Sequence, residues 1–182
     1  MTDAPNKLWG TDFTCVLTRV EFADVSFVID LFSRRILSCA SSSTYDTEFV
    51  EQAVQMASWQ RRTKEKFHMR PVLGIIHRSN PGTAYSSQKY TQKLADEGLV
   101  PSIGTIGDAY DIASAETVKG LFKNEVIAKD SPFRTGPLVT ESDVSEVAAD
   151  WVHWYNYERF HSTLRHRTPA EFEEHYYDEM SG

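Results

Sequence analysis

Between Leu8 and Leu17 the chain alternates: Trp9, Thr11, Phe13, Cys15 and Leu17 share one face, and Gly10, Asp12 and Thr14 share the other. A period of two marks a strand, because successive side chains leave a pleated backbone on opposite sides. Asp12 therefore interrupts a strand. Two more β-rich runs, "FADVSFVIDLF" and "RRILSCA", flank a polar turn from Asp30 to Arg35 and read as an antiparallel meander, with Asp30 ending its strand and ordering that turn. From Asp46 to Arg61 the apolar residues Phe49, Val50, Ala53, Val54, Met56, Ala57 and Trp59 are too densely spaced for a strand, and they predict a helix packed on a sheet. "PVLGIIH" then has strand length. A turn around Asn80 follows, a helix is expected from Ser86 to Glu97, Gly98 stops it, and "LVPSI" is another short strand.

Beyond Gly107, Ala115, Val118, Phe122 and Val126 recur at helical spacing as a core stripe, with Asp108 placed to cap. On the adjoining stripe Glu116, Lys119 and Lys123 follow at i, i+3 and i+7, so an acid and two cations share the rim between core and solvent. After a Pro- and Gly-containing linker from Ser131 to Thr140, residues Val144, Val147, Ala148, Trp151 and Tyr155 define another amphipathic helix. "TPAEF" signals a last one: Thr168 caps, Pro169 occupies the first turn, and Glu171 reaches back to complete a capping box. This order predicts an α/β chain of the ribonuclease H-like kind, a five-stranded mixed sheet flanked by helices. One domain is expected over residues 1–182, with the ribonuclease H-like core over about residues 6–130 and a C-terminal helical extension over 138–178.

A length of 182 residues with 41% hydrophobic content supports one sizeable core. No apolar run approaches the length of a membrane span, and the N-terminus shows no basic and apolar leader pattern, so a soluble, cytoplasmic protein with no membrane partner is expected. Cys15 and Cys39 lack zinc-site spacing and are expected as buried, reduced thiols. The net charge of -7 argues against a protein that coats nucleic acid by bulk electrostatics, so any such contact is expected to be local. Basic residues do gather at Arg34-Arg35 and from Arg61 to Arg70, where a solvated helix face is the simpler reading.

Asp12 sits mid-strand, Asn80 just past the fourth strand and Glu116 on a later helix, with 35 residues between the last two. This resembles the Asp, Asp, 35 residues, Glu signature of retroviral-integrase-type transposases. The blocks "LWGTDFTCV", "FVIDLFSRRI", "GIIHRSNPGTAYSS", "GDAYDIASAETVKGLFKNEVI" and "WYNYERFHSTLRHRTPAEF" are each similar to blocks of bacterial insertion-sequence transposases, and together they cover nearly the whole chain. The resemblance implies a catalytic core without the amino-terminal DNA-binding helices such proteins usually carry. It implies DNA as partner, both element ends and target, and a homo-oligomer. The reaction implied is cleavage at the element ends and joining of the 3′-hydroxyl to a new phosphate. Two Mg2+ or Mn2+ ions would be held by Asp12, by Glu116 and by the middle acid, for which this chain has Asn80. An amide offers one neutral oxygen and removes a charge, so ion binding is expected to be weak or absent here.

The departure is not isolated. The family usually shows Asp-Arg-Gly-x-Gln-Tyr where this chain has Asn80-Pro81-Gly82-Thr83-Ala84-Tyr85, and Asp-Asn-Ala where it has Asp111-Ile112-Ala113. Clustered changes are what a decaying copy accumulates, whereas a single substitution made to abolish activity would explain Asn80 but not Ile112 or Ala84. Two readings follow: an impaired transposase core, and a catalytically inactive nucleic-acid-binding remnant. A ribonuclease H-like hydrolase is disfavoured by the 35-residue spacing and the terminal block. Asn80 before Pro81-Gly82 also suits a tight turn. Asp108 and Asp111 read as caps, Asp111 being close enough in sequence to substitute for the missing acid. Lys119 and Lys123 are expected to point toward DNA. Arg159 and Arg165 either brace the core or contact the DNA backbone. His77 is assigned to the rim of the site, and His153, His161 and His166 lack the spacing of a metal-ligand pair.

Overall fold

Strand β1 (Leu8–Leu17) lies at the centre of the sheet because it pairs on both edges. On one edge it runs antiparallel to β2 (Phe22–Asp30), from Trp9 opposite Asp30 to Leu17 opposite Phe22. On the other it runs parallel to β4 (Ile75–Ser79), from Leu8 opposite Ile76 to Thr11 opposite Ser79. β3 (Ile36–Ser42) and β5 (Leu99–Ile103) complete the order β3-β2-β1-β4-β5. The computed structural model describes residues 2–44, 48–63, 74–79, 88–103 and 109–182. Its sheet is the mixed five-stranded one expected from the chain's periodicities.

The alternation of β1 sorts side chains into two cores. On one face Trp9 and Val28 meet Phe49, Val50, Ala53, Val54 and Ala57 of α1 (Glu48–Thr63), with Tyr90 and Leu94 of α2 (Gln88–Asp96). On the other, Leu8, Val16, Phe27 and Ile29 meet Val118 and Phe122 of α3 (Ala109–Phe122) and Val144, Ala148, Trp151 and Tyr155 of α4 (Glu141–Tyr157). α3 does not end at Phe122; it widens into a π turn over Lys123–Ile127, which keeps Val126 buried. The expected face of β1 is only half covered. Phe49 packs edge-on against Phe13 at 6.1 Å, and beyond that contact Cys15 and Leu17 are exposed. The expectation that both thiols are buried is therefore corrected: α1 begins too late to cover Cys15, while Cys39 is partly buried. Among the described residues no helix is long and apolar enough to cross a membrane.

Two buried polar networks fasten the C-terminal helices to this sheet. Asp30 ends β2 as expected, accepting the backbone N–H groups of Asn6 at 2.7 Å and of Phe32 and Ser33 at 3.0 Å. Beside it Arg61 is buried rather than solvated, and its guanidinium grips both oxygens of Glu173 on α5 (Pro169–Ser181), the second at 2.9 Å, with Asp30 3.7 Å away. The reading of Arg61 as part of a solvated basic face is thus overturned, because the charge lies where α1 meets α5. Ser33 donates to Glu173 at 2.7 Å and Arg35 reaches it at 3.3 Å. Asn156 of α4 brackets Ile36, accepting its N–H at 2.9 Å and donating to its carbonyl at 2.8 Å. α5 starts with the expected box, in which Glu171 accepts from the Thr168 N–H and the Thr168 hydroxyl accepts from the Glu171 N–H.

Burial works against the Glu173 carboxylate, but Arg61, Arg35 and the Ser33 hydroxyl outweigh it and hold its pKa below the ordinary 4.5. A group depressed in the folded state contributes stability fully above its unfolded value and loses it as pH falls through the folded one. Urea unfolding of the native chain should therefore show stability falling as pH drops below about 4.5, and Glu173→Gln should flatten that slope. At neutral pH Glu173→Ala, which strands Arg61 in the interior, should cost about 3–5 kcal/mol.

Candidate active site

Asp12 lies on the α3 side of β1, opposite Phe27 in the ladder, and is only 4% exposed. A carboxylate so placed must be compensated. One oxygen, Oδ1, accepts the N–H of Phe13 at 2.9 Å, and the other, Oδ2, lies 2.8 Å from Lys119 Nζ. Lys119 is held there because Val118 and Phe122 bury the neighbouring stripe of α3 against the sheet. Glu116 precedes Lys119 by three residues on the same helix, which is about 4.5 Å along the axis and near the same side. Its side chain is exposed. Lys123, four residues after Lys119, is also exposed.

The position expected for the middle acid follows the fourth strand in sequence. β4 ends at Ser79, which pairs with Thr11, one residue before Asp12. Asn80 follows immediately in sequence and lies outside the described residues, as do Ala84 and Asp108. Asp111 and Ile112 belong to α3, and their side chains are not described. The structure thus brings Asp12 to Lys119 and carries Glu116 on the adjoining turn. Among the described residues no group of three or more His, Cys, Asp or Glu forms a metal cluster. The donors that are present do suit a hard divalent ion: they are carboxylate oxygens, and Asp12 Oδ2 already faces a cation.

The basic residues of the terminal block are placed elsewhere. Arg159 makes a paired contact with Glu125, at 2.7 Å and 3.1 Å, while Trp151 donates to the other Glu125 oxygen at 2.9 Å. Its guanidinium also lies over the rings of Trp154 and Tyr155. This contact braces α4 against the π turn. Arg165 is exposed and adopts a left-handed conformation, φ 56°, at the end of a short 3-10 turn.

The rim assignment of His77 is corrected. It lies on the opposite face of the sheet from Asp12, fully buried, with Nε2 2.6 Å from the Thr11 hydroxyl and 3.3 Å from that of Tyr90. The signal that could have found this was the Trp9 face of β1: Trp9 lies opposite His77 in the parallel ladder, and Thr11 on that same face, turned away from Asp12, shares a hydrogen bond with the His77 ring. The Lys119–Asp12 and Arg61–Glu173 pairs were not anticipated, since each joins residues more than a hundred positions apart.

Comparison with known proteins gives the family and the fold. The profile of a family described as integrase core domain matches residues 2–109, and a second with the same description matches residues 97–169. The chain is 38% identical over 174 residues to a putative transposase for insertion sequence element IS986/IS6110 of Mycobacterium tuberculosis, covering 96% of this chain and 60% of that protein. It is also 38% identical over 177 residues to the transposase for insertion sequence element IS629 of Shigella sonnei, covering 97% of this chain and 55% of that protein. The chain therefore spans little more than half of each relative. Among solved structures it resembles the HTLV-2 integrase catalytic core domain in complex with magnesium, dimeric form, with TM-score 0.61 and 14% identity, covering 94% of this chain and 98% of that one. A chain of the simian T-cell lymphotropic virus intasome gives TM-score 0.69 and 16% identity, covering 93% of this chain and 55% of that one. At these identities the likeness shows the fold, which is ribonuclease H-like.

Burial pushes the His77 imidazole down to about 4 from the usual 6.5. In an NMR titration its ring protons should therefore shift with a midpoint near 4, and a midpoint near 6.5 would return His77 to a solvent-facing position.

Proposed function

The chain belongs to the integrase core domain family, and from that premise we propose that it is the DNA-handling catalytic core of a bacterial insertion-sequence transposase. The observation that carries this reading is the Asp12 carboxylate, buried beneath α3 with a cation on Oδ2 and Glu116 one turn away. The reaction is phosphodiester cleavage at the element ends followed by strand transfer. A divalent ion, when bound, supplies the positive charge that stabilises the attacking and leaving oxygens.

This chain's own residues do the rest. Asp12, oriented by the Phe13 N–H, presents Oδ2 toward α3, and Glu116 offers a second carboxylate from solvent. Lys123 stands exposed beside them and contacts a DNA phosphate, which sets register without reading sequence. Asn80 would contribute a neutral amide oxygen in place of the third acid, so activity is impaired. The second reading, a DNA-binding remnant without catalysis, is favoured by the Lys119 contact, which already neutralises Asp12.

A homo-oligomer completes the proposal. Met56 and Trp59 of α1 and Tyr157 of α4 flank a groove beside β3, and each is about half exposed, leaving apolar surface that a second copy would cover. Trp59→Glu should shift the chain from dimer to monomer in sedimentation velocity while leaving its thermal unfolding in place; an unchanged distribution places the contact elsewhere.

Strand transfer on a labelled duplex carrying element ends separates the two functional readings. The native chain should give little or no joined product, and Asn80→Asp should raise it and tighten Mn2+ binding by roughly tenfold in calorimetry, because a restored charge beside a dication is worth at least that factor. Affinity that does not move would make Asn80 a turn residue only.

A further inference from the structure

We propose that Lys119 is a built-in cation that occupies the ion's side of Asp12, so that a divalent ion binds only by displacing it, and the freed ammonium then takes a DNA phosphate. The inference rests on Asp12 being an ion ligand, as proposed above, and concerns how that same site is regulated.

The geometry makes the two cations exclusive. Asp12 Oδ1 is engaged by the Phe13 N–H, so Oδ2 is the oxygen facing α3, and Lys119 Nζ lies 2.8 Å from it, a charge-assisted contact distance. A dication on Oδ2 would sit within a few ångströms of that ammonium, and like charges so close at a largely buried oxygen repel strongly. The Asp12 side chain is 6% exposed and that of Lys119 30%, so the pair is screened less than a surface pair, yet the lysine has a route outward. Its flexible stem permits that movement, because an ammonium is a point charge that tolerates many approach directions.

Charge counting gives the same result. With Lys119 in place, the three groups Asp12, Glu116 and Lys119 sum to one negative charge. With Lys119 withdrawn, the two carboxylates offer two. Outward movement brings the ammonium toward Lys123, one turn along on the exposed side, where two cations together suit a phosphate. DNA that draws Lys119 off Asp12 therefore strengthens ion binding, and the ion strengthens DNA binding by the same factor.

The test is calorimetric titration of MnCl2 into the full chain and into Lys119→Met, Asp12→Asn and the double variant, without DNA. Lys119→Met should bind Mn2+ at least about tenfold more tightly than the native chain, since a full positive charge beside the ligand oxygen is gone even after solvent screening. Asp12→Asn should lose the ion with either residue at 119. Native affinity in Lys119→Met together with lost affinity in Asp12→Asn overturns the competition and leaves Asp12 as a ligand. Affinity that survives Asp12→Asn, or no Mn2+ heat from any variant, overturns the ligand reading and the competition together. Thermal unfolding in EDTA adds an ion-free readout: Lys119→Met should lower Tm in the native background and should not lower it further in Asp12→Asn. A Lys119→Met chain that melts with the native one shows that the pair does not form in solution and overturns the proposal.

Discussion

A strand paired on both edges and covered on both faces leaves its polar side chains no access to bulk water, so each must find its partner inside the protein. β1 is paired on both edges from Trp9 to Thr11 and buried on both faces from Leu8 to Asp12, and its polar residues divide by parity. Thr11 turns toward α2 and is satisfied by His77 and the Tyr90 region; Asp12 turns toward α3 and faces Lys119. The same alternation therefore makes one face a closed neutral cluster and the other a charged site. It also explains why the site is one-sided. Among the described residues it is α3 that brings Asp12 a cation, and that helix also carries Glu116, the acid proposed to act with it.

Holding α3 in that position is the work of the C-terminal third of the chain. Phe27, Phe122 and Trp151 meet in edge-on contacts with centroids 5.1–5.8 Å apart, so α4 presses α3 onto β2. Glu125 then joins the π turn after α3 to Trp151 and Arg159. The π turn has a purpose in this setting: one extra residue keeps Val126 in the core while Glu125 faces α4. At the opposite end of β2, Asp30 and Glu173 share Arg61. Burial lifts the pKa of Asp30, which lies 3.7 Å from the guanidinium, while Glu173 is gripped through both its oxygens and held low. Helices late in the sequence are in this way tied to strands formed early in it.

What could be read beforehand was what repeats locally. The period-two alternation of β1, the helical stripe through Val118 and Phe122, and the Thr168–Glu171 box each depend on residues within a few positions, and each stands where the periodicity put it. Asp12 on the side opposite Thr11 was equally legible. The errors share one cause: they depend on which distant element covers a position. Cys15 and Leu17 follow the pattern of Trp9, yet α1 begins too late to reach them. Arg61 looks like part of a basic surface run until α5, over a hundred residues later, arrives with Glu173. His77 has the composition of a rim group, but the parallel register with β1 turns it to the Thr11 face.

Two features of the charged site act in the same direction. In the site as proposed, the residue that follows β4 in sequence is the neutral Asn80, and Lys119 places a positive charge on the oxygen of Asp12. Each would lower the attraction of the proposed site for a dication, which favours several uncompensated acids. A simple loss of the middle acid would leave Asp12 buried and in want of a cation, at a cost of several kcal/mol unless paired. Lys119 removes that cost. A chain with this pair can therefore stay folded with no ion bound, which separates the stability of the core from its chemistry. In such a chain the buried Asp12 is compensated from within the protein, whatever residue occupies the position after β4.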